Sequence, residues 1–473
     1  MAGLKTKIIV TLGPATKSYD IIKRLIKEGV SGFRINFSHG DTSEWDLFVK
    51  LVREAASELD QPTSLIGDLR GPQIRIGVLD QGVLKVERDQ VLRFVFGEKA
   101  GEKEVPVRSK SLFETVEVGD TILVGDGECI LRVVEVGDDY FQARALYDGV
   151  IGSGKKIVAR GKEPNVPLLS SEDVSLVKYA VDREFTFIGV SYVRSGHDIN
   201  VVRNLIEGMK GSTGIIAKIE TPTAYRNLAE IVRSSDMVLI ARGDLGLHFD
   251  LEKLPTIQKE VIIASVSYGR PVIVATQILE SMVEQPRPSR SEVVDVYSAV
   301  QDMVDALMLT NETAVGKYPL ETVRWLKKII ESAEADTKVE QAKSIRDSLG
   351  KQSLKDKYVH GLLSLAESVE GKVLVFSKTG SVPPLIARMR PQVPVIVGTP
   401  DRRLAERLTL FYGLKVYDMS KTVQGDVGYE EGIRLLEKLA RSRGELSIGD
   451  VVAESFARPG EDMHEILIKR ILF

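Results

Sequence analysis

Cysteine is all but missing from this chain: there is one, Cys129, in 473 residues. A single thiol cannot close an intrachain disulfide, which excludes a cross-linked secreted scaffold. Only five histidines are present, and with one cysteine they argue against a structural zinc site. Long hydrophobic runs are lacking too, and no stretch approaches the roughly 18 apolar residues of a membrane span. The opening MAGLKTKIIVTLGPATKS has no apolar core of the kind a secretory signal carries. Charge of one sign is not in excess. The 64 Lys and Arg against 67 Asp and Glu leave a net charge of −3, so no basic field draws the chain to nucleic acid or to an anionic membrane. Asparagine and glutamine are scarce, at six and 13, a depletion of thermolabile residues that fits a hot-living source. These absences give the expectation of a soluble protein in a reducing, cytoplasmic setting.

What is present is the 43% hydrophobic and 28% charged balance of a globular protein, long enough for about three domains. Eight short β-rich runs stand out: KIIVTLG (7–13), GFRINFSHG (32–40), SLIGDLRG (64–71), FTFIGVSYV (185–193), GIIAKIET (214–221), MVLIARGD (237–244), PVIVATQ (271–277) and ALMLTNE (306–312). Most are separated by segments with apolar residues at helical spacing. Near-continuous apolar strands alternating with helices imply a parallel sheet covered on both faces, and eight units match a (β/α)8 TIM barrel. An open doubly wound sheet is the alternative, but its G-x-G-x-x-G is absent, since the first turn reads TLGPATKS.

A long interruption after the third run is rich in Gly-Asp turns between short strands such as VLRFVFG and TILVGD, the pattern of a small all-β domain. Falling between the third strand and its helix, it sits on the active-site face of the barrel, where it can act as a lid. After residue 338, KVLVFS, VPVIVG and LKVYDM alternate with helical segments as a separate open α/β domain. The expected boundaries are 1–75 and 164–338 for the barrel, 76–163 for the lid and 339–473 for the C-terminal domain.

Barrels carry their working residues at the carboxyl ends of the strands. Strand two ends in Arg34, Asn36 and Ser38, which period-two alternation places on one side, followed by His39. Strand three ends in Asp68-Leu69-Arg70 and runs on to Gln73 and Arg75. Strand five carries Lys218 and Glu220, strand six Arg242-Gly243-Asp244, strand seven Thr276, and strand eight Asn311-Glu312. Carboxylates converging on one mouth repel unless a hard cation lies between them, and cations beside them suit an anionic substrate. This is how a phosphoryl-transfer site is assembled. The residues alone reach a metal-dependent barrel enzyme for an anionic small molecule and go no further.

The ordered set TKIIVTLGPAT, FRINFSHG, DLRGPQIR, AKIET, MVLIARGDLG, ATQILESM, PRPSRSEVVDV and NETAVGKYPLETV resembles the pyruvate kinase family over the whole chain, and the third domain resembles that family's regulatory domain. The resemblance implies phosphoryl transfer from phosphoenolpyruvate to ADP, a homotetramer, and Mg²⁺ or Mn²⁺ held by Glu220 and Asp244. It makes Lys218 the group that stabilises the phosphoryl in flight, Arg34 a phosphate contact and Thr276 a residue in proton delivery to the enolate, through a water relay. The backbone N–H groups of Gly243 and Asp244 would hold the substrate carboxylate. Asn36, His39 and Arg75 match positions near the nucleotide, and Glu312 a structural or water-organising acid.

Members of the family that need K⁺ hold it with the counterparts of Asn36, Ser38, Asp68 and the carbonyl of the next residue, here Leu69 in place of the usual Thr. Such members carry Glu where Gln73 stands, and K⁺-independent members resemble a Lys there. The lost carboxylate leads us to expect K⁺ independence, with the remaining ligands still able to bind K⁺ or Na⁺. Asn311 replaces a usual Gly, a change that left-handed backbone would tolerate. The run Ser377-Lys378-Thr379-Gly380-Ser381 resembles the family's effector-phosphate loop, followed by Pro383-Pro384, which departs from the pattern. A sugar phosphate or nucleotide is the expected effector. Two rivals stand beside this reading. One is a Mg²⁺-dependent lyase or aldolase acting on pyruvate or phosphoenolpyruvate, which would not need ADP. The other is a non-catalytic sensor, which should have lost Lys218 or a metal carboxylate.

Overall fold

The computed structural model describes residues 3–101, 104–163, 165–336, 339–349, 353–423, 425–458 and 463–472. Of the expected boundary positions, 1, 164, 338 and 473 lie outside the described residues. Eight parallel strands close a barrel in which each strand pairs with the next and the eighth with the first. They are β1 (Lys7–Thr11), β2 (Val30–Asn36), β3 (Ser64–Asp68), β4 (Phe187–Val190), β5 (Gly214–Ile219), β6 (Met237–Ala241), β7 (Val272–Ala275) and β8 (Ala306–Leu309). Alternation divides their side chains between two buried faces. Ile9, Ile66, Phe187, Ile216, Leu239 and Ile273 form one cluster, while Ile8, Val10, Leu65, Ile188 and Ile215 pack in another with the helices. Branched aliphatics suit this doubly buried, pleated environment.

The strands stop two to four residues short of the runs that foretold them. After Ala241 the chain turns directly into the helix Arg242–His248, and after Leu309 and Thr310 into the short helix Asn311–Ala314. Asn311 is therefore helical, and its place does not call on left-handed backbone. Polar residues at the barrel mouth satisfy their backbone in helical turns once the neighbouring strand no longer offers a ladder. Ser38 likewise lies beyond β2, so alternation does not carry it. Its N–H donates to Asn36 Oδ1 at 3.1 Å inside a turn.

The inserted segment leaves the barrel after β3 and returns before the helix Ser171–Asp182. It holds a six-stranded and a two-stranded sheet around a separate apolar cluster, in which Phe94 and Phe141 stack at 4.7 Å. Its entering and leaving chains are paired with each other. Ile76 N–H donates to Lys155 O at 2.8 Å, Ile157 N–H to Ile74 O at 3.0 Å, and Arg75 opposes Lys156 as an antiparallel bridge. The lid is thus joined to the barrel through a short two-chain ribbon.

The C-terminal sheet has five strands. Lys372–Phe376, Val395–Thr399 and Leu414–Asp418 are parallel and match the sequence reading. The hairpin Val451–Arg458 and Met463–Arg470 completes it and was not foreseen. Among the described residues no helix is long and apolar enough to cross a membrane.

A buried ion pair clamps this domain to the N-terminal face of the barrel. Arg390 donates to both oxygens of Asp305, just before β8, at 2.8 and 2.9 Å. Asp305 also accepts the N–H groups of Val272 (3.0 Å) and Tyr412 (3.2 Å), and the guanidinium lies over the Tyr412 ring. Both partners are at least 98% buried. Removing one member of such a pair leaves an uncompensated buried charge. Arg390→Ala is expected to cost about 3–5 kcal/mol, read as a lower denaturation midpoint in guanidinium unfolding, with Arg390→Lys falling between it and the parent.

Candidate active site

At the mouth of the barrel, four charged side chains from three strand ends form one buried cluster. Arg34 of β2 donates through Nε to Asp68 Oδ2 at 2.7 Å, with Nη2 2.6 Å from the same oxygen. Lys218 of β5 lies 3.4 Å from Asp68 Oδ1 and 2.8 Å from Glu220 Oε1. Burial favours the neutral form of Asp68, but the Lys218 and Arg34 charges overcome it and hold the carboxyl below its usual range. Burial also opposes the Lys218 ammonium, yet Asp68, Glu220 and Asp244 together hold it above the ordinary lysine range. Lys218 is therefore a fixed cation. Arg34 Nη1 also donates to Thr11 Oγ1 at 3.1 Å, so both cations are anchored on their protein side.

Glu220 is 99% buried. Burial foremost, and the nearby Asp244 charge, push its carboxyl up to about 7, against the pull of Lys218. Two mutually repelling hard oxygen donors are what a divalent cation relieves. Among the described residues no group of three or more His, Cys, Asp or Glu is placed to hold a metal. A pair of carboxylates is the kind of donor set that suits an ion taking one or two protein carboxylates and completing its shell with other oxygens, as Mg²⁺ does.

Asp244 stands in the first turn of the helix after β6, where a carboxylate is favoured, and the lid reaches it. Lys156 lies 3.0 Å from Asp244 Oδ1 and 2.8 Å from Asp126. Thr276, after β7, has φ of +69° and Gln277 φ of +52°, strained backbone for a β-branched and a long side chain. Arg242 holds that turn, donating to the carbonyls of Thr276 (3.0 Å) and Gln277 (2.9 Å) while paired with Asp295 at 2.6 Å. The Thr276 hydroxyl accepts the Gly243 N–H at 2.8 Å. One of the two donors expected for a substrate carboxylate is thus already engaged by the residue expected to serve the proton.

The other expected residues fall into two groups. Asn36 ends β2, and Ser38 and His39 sit in the turn that follows, where His39 N–H donates to Asn36 O at 3.2 Å. Arg75 belongs to the lid ribbon, donating to Gly154 O (2.8 Å) and Gln73 Oε1 (2.6 Å). Glu312 is fully buried and accepts the N–H groups of Leu279 (3.1 Å) and Thr310 (2.6 Å), a structural role. The loop Ser377–Ser381 lies in the C-terminal domain, apart from this mouth. Gly380 (φ +73°) donates to Ser377 Oγ at 3.0 Å, Thr379 and Ser381 share a hydroxyl contact, and Lys378 is paired with Asp426 at 2.6 Å. The helix that follows, Pro383–Arg388, starts on two prolines, which have no N–H to offer an anion.

Sequence reasoning overlooked Ser191, Lys156 and the work of Arg242. Ser191 follows β4, whose residues are all apolar, so no charge advertised that strand end. Lys156 is remote in sequence from the barrel strands, in a Gly-rich lid turn. The clue for Arg242 was its place beside Gly243 and Asp244, but not its partners.

Comparison with known proteins agrees with this arrangement. Residues 4–323 match the pyruvate kinase barrel domain and residues 357–459 the pyruvate kinase alpha/beta domain. The pyruvate kinase of Pyrobaculum aerophilum is 37% identical over 446 residues, covering 93% of this chain and 92% of that protein. That of Thermotoga maritima is 33% identical over 458 residues, covering 96% and 97%. The crystal structure of the P. aerophilum enzyme superposes with a TM-score of 0.86 over 99% of this chain and 100% of that one, at 34% identity. A pyruvate kinase structure from Cryptosporidium parvum gives 0.91 over 99% and 96%, at 28% identity. With the barrel and the C-terminal domain both matched over most of their length, the chain belongs to the pyruvate kinase family and is a phosphotransferase.

Proposed function

We propose that this protein transfers the phosphoryl group of phosphoenolpyruvate to ADP, yielding pyruvate and ATP, with Mg²⁺ or Mn²⁺ held by Glu220 and Asp244. The observation that carries the reading is the buried Lys218 ammonium, 2.8 Å from Glu220 and 3.4 Å from Asp68, beside a second anchored cation, Arg34. Phosphoryl transfer asks little of the protein beyond positioning and charge. Lys218 neutralises the phosphoryl oxygens in flight, and Arg34, whose fork suits phosphate, binds them. A divalent ion held by Glu220 and Asp244 would supply Lewis-acid neutralisation of charge. The Thr276 hydroxyl exchanges its Gly243 contact for a water that carries a proton to the enolate, since a neutral threonine is a poor acid by itself. Gly243 and Asp244 N–H groups then receive the substrate carboxylate. Asn36, His39 and Arg75 serve the nucleotide between barrel and lid.

Monovalent cations are dispensable in this reading. Asp68 already lies between two cations, Asn36 Oδ1 accepts Ser38 N–H, and the Leu69 carbonyl accepts the Ser191 hydroxyl at 3.0 Å. Gln73 brings no charge and uses its oxygen on Arg75. In the C-terminal domain, the Ser377–Ser381 loop binds a phosphorylated effector through its hydroxyls once Lys378 leaves Asp426, and four copies of the chain assemble as in the family.

Pyruvate release from phosphoenolpyruvate with Mg²⁺ is expected only when ADP is present, and at the same rate in K⁺-free buffer and after added KCl. ADP-independent pyruvate would replace the kinase with the lyase reading, and activity confined to KCl would overturn K⁺ independence. Lys218→Met is expected to lower kcat by about a hundred- to a thousandfold, measured with coupled lactate formation on protein that circular dichroism shows to be folded, and to lower the thermal midpoint as well, because Asp68 and Glu220 lose a buried counter-charge.

A further inference from the structure

We propose that Ser191, in the turn that follows β4, is a positioning residue that aims the Lys218 ammonium at the transferring phosphoryl group. This rests on the phosphoryl-transfer reading of Lys218. Ser191 is 98% buried and touches two strand ends at once. Its hydroxyl donates to the Leu69 carbonyl after β3 at 3.0 Å. With that proton committed, the oxygen presents lone pairs to Lys218, whose Nζ donates to it at 2.7 Å.

An ammonium has three donors. Glu220 takes one at 2.8 Å, Ser191 takes another at 2.7 Å, and Asp68 Oδ1 stands farther off at 3.4 Å. The two carboxylates attract the ammonium and cancel part of its charge. Ser191 is the neutral member of the set, so it fixes Nζ without spending the charge that a phosphoryl group needs. Without it, the ammonium settles onto Asp68 and Glu220 and loses its aim.

The turn itself is rigidly placed. Tyr192 adopts φ of +58°, strained backbone for a bulky residue, and its N–H donates to Glu220 Oε2 at 2.8 Å. Gly71, at φ +68°, lies against it so closely that a Cβ there would come within 2.6 Å of the Ser191 Cβ. Two consecutive residues after an apolar strand thus set the phosphoryl-binding lysine through a side chain and a metal-binding glutamate through the backbone. Only the first is removed by changing the Ser191 side chain.

The test is Ser191→Ala, with Ser191→Cys as a shape-preserving companion whose thiol is a weak acceptor. Steady-state kinetics on the full chain with phosphoenolpyruvate, ADP and Mg²⁺ are paired with Mn²⁺ binding followed by electron paramagnetic resonance. Loss of one hydrogen bond to a charged group predicts that both variants lose about ten- to a hundredfold in kcat. The KM for phosphoenolpyruvate and the Mn²⁺ affinity stay within about twofold of the parent, because the interaction lost acts in the transition state and Glu220 keeps its Tyr192 contact. The proposal is overturned if either variant keeps kcat within about threefold of the parent, or if kcat, KM and Mn²⁺ affinity decline together as general disruption of the site would cause. A parent protein that makes no pyruvate from phosphoenolpyruvate and ADP would instead remove the reading of Lys218 on which it rests.

Discussion

Everything at the mouth of the barrel hangs on Asp68. Its carboxylate is 97% buried, a position that water cannot stabilise and that only adjacent cations make tolerable. Arg34 from β2 and Lys218 from β5 supply that compensation. In return Asp68 restrains both, so that two cations face the same space without being driven apart. The three strand ends are brought together because β2, β3, β4 and β5 are consecutive neighbours in the barrel, so the charge pattern depends on that pairing order.

The same logic appears at the opposite end, where Asp305 and Arg390 join barrel and C-terminal domain. There the pair is bidentate and nearly inaccessible. It is flanked by the N–H groups of Val272 and Tyr412, which complete the hydrogen bonding of the carboxylate. The upper cluster shares its charges among three strand ends at the barrel mouth, while the lower one is closed on itself.

Much of this was legible in the sequence, and the limits have physical causes. Branched aliphatic runs such as KIIVT and VIVA announce strands buried on both faces, so all eight barrel strands were readable, as were the Gly-Asp turns of the lid. Strand ends were not, because ending a ladder depends on when the neighbouring strand stops. This is why Asn311 proved helical and Ser38 fell outside the alternation. The hairpin Val451–Arg458 and Met463–Arg470 escaped notice because its residues mix charged and apolar types without a clear run. Among the site residues, Lys218, Glu220, Asp68 and Arg34 were visible as charges at strand ends and do come together. Ser191 carries no charge, and its importance comes from partners 122 and 27 positions away, a relation no local pattern encodes.

The lid ribbon has a mechanical consequence. Two antiparallel chains joined edge to edge by hydrogen bonds, as residues 74–76 and 155–157 are, resist shear and in-plane bending far more than folding across their width. They behave as a leaf spring with one soft direction. Lys156 is also tied to the inserted sheet, since Gly125 N–H donates to Lys156 O at 2.9 Å and Ile157 pairs with Val124. Asp126 and Lys156 are therefore one unit, and the ion pair with Asp244 is where that unit is fastened to the barrel.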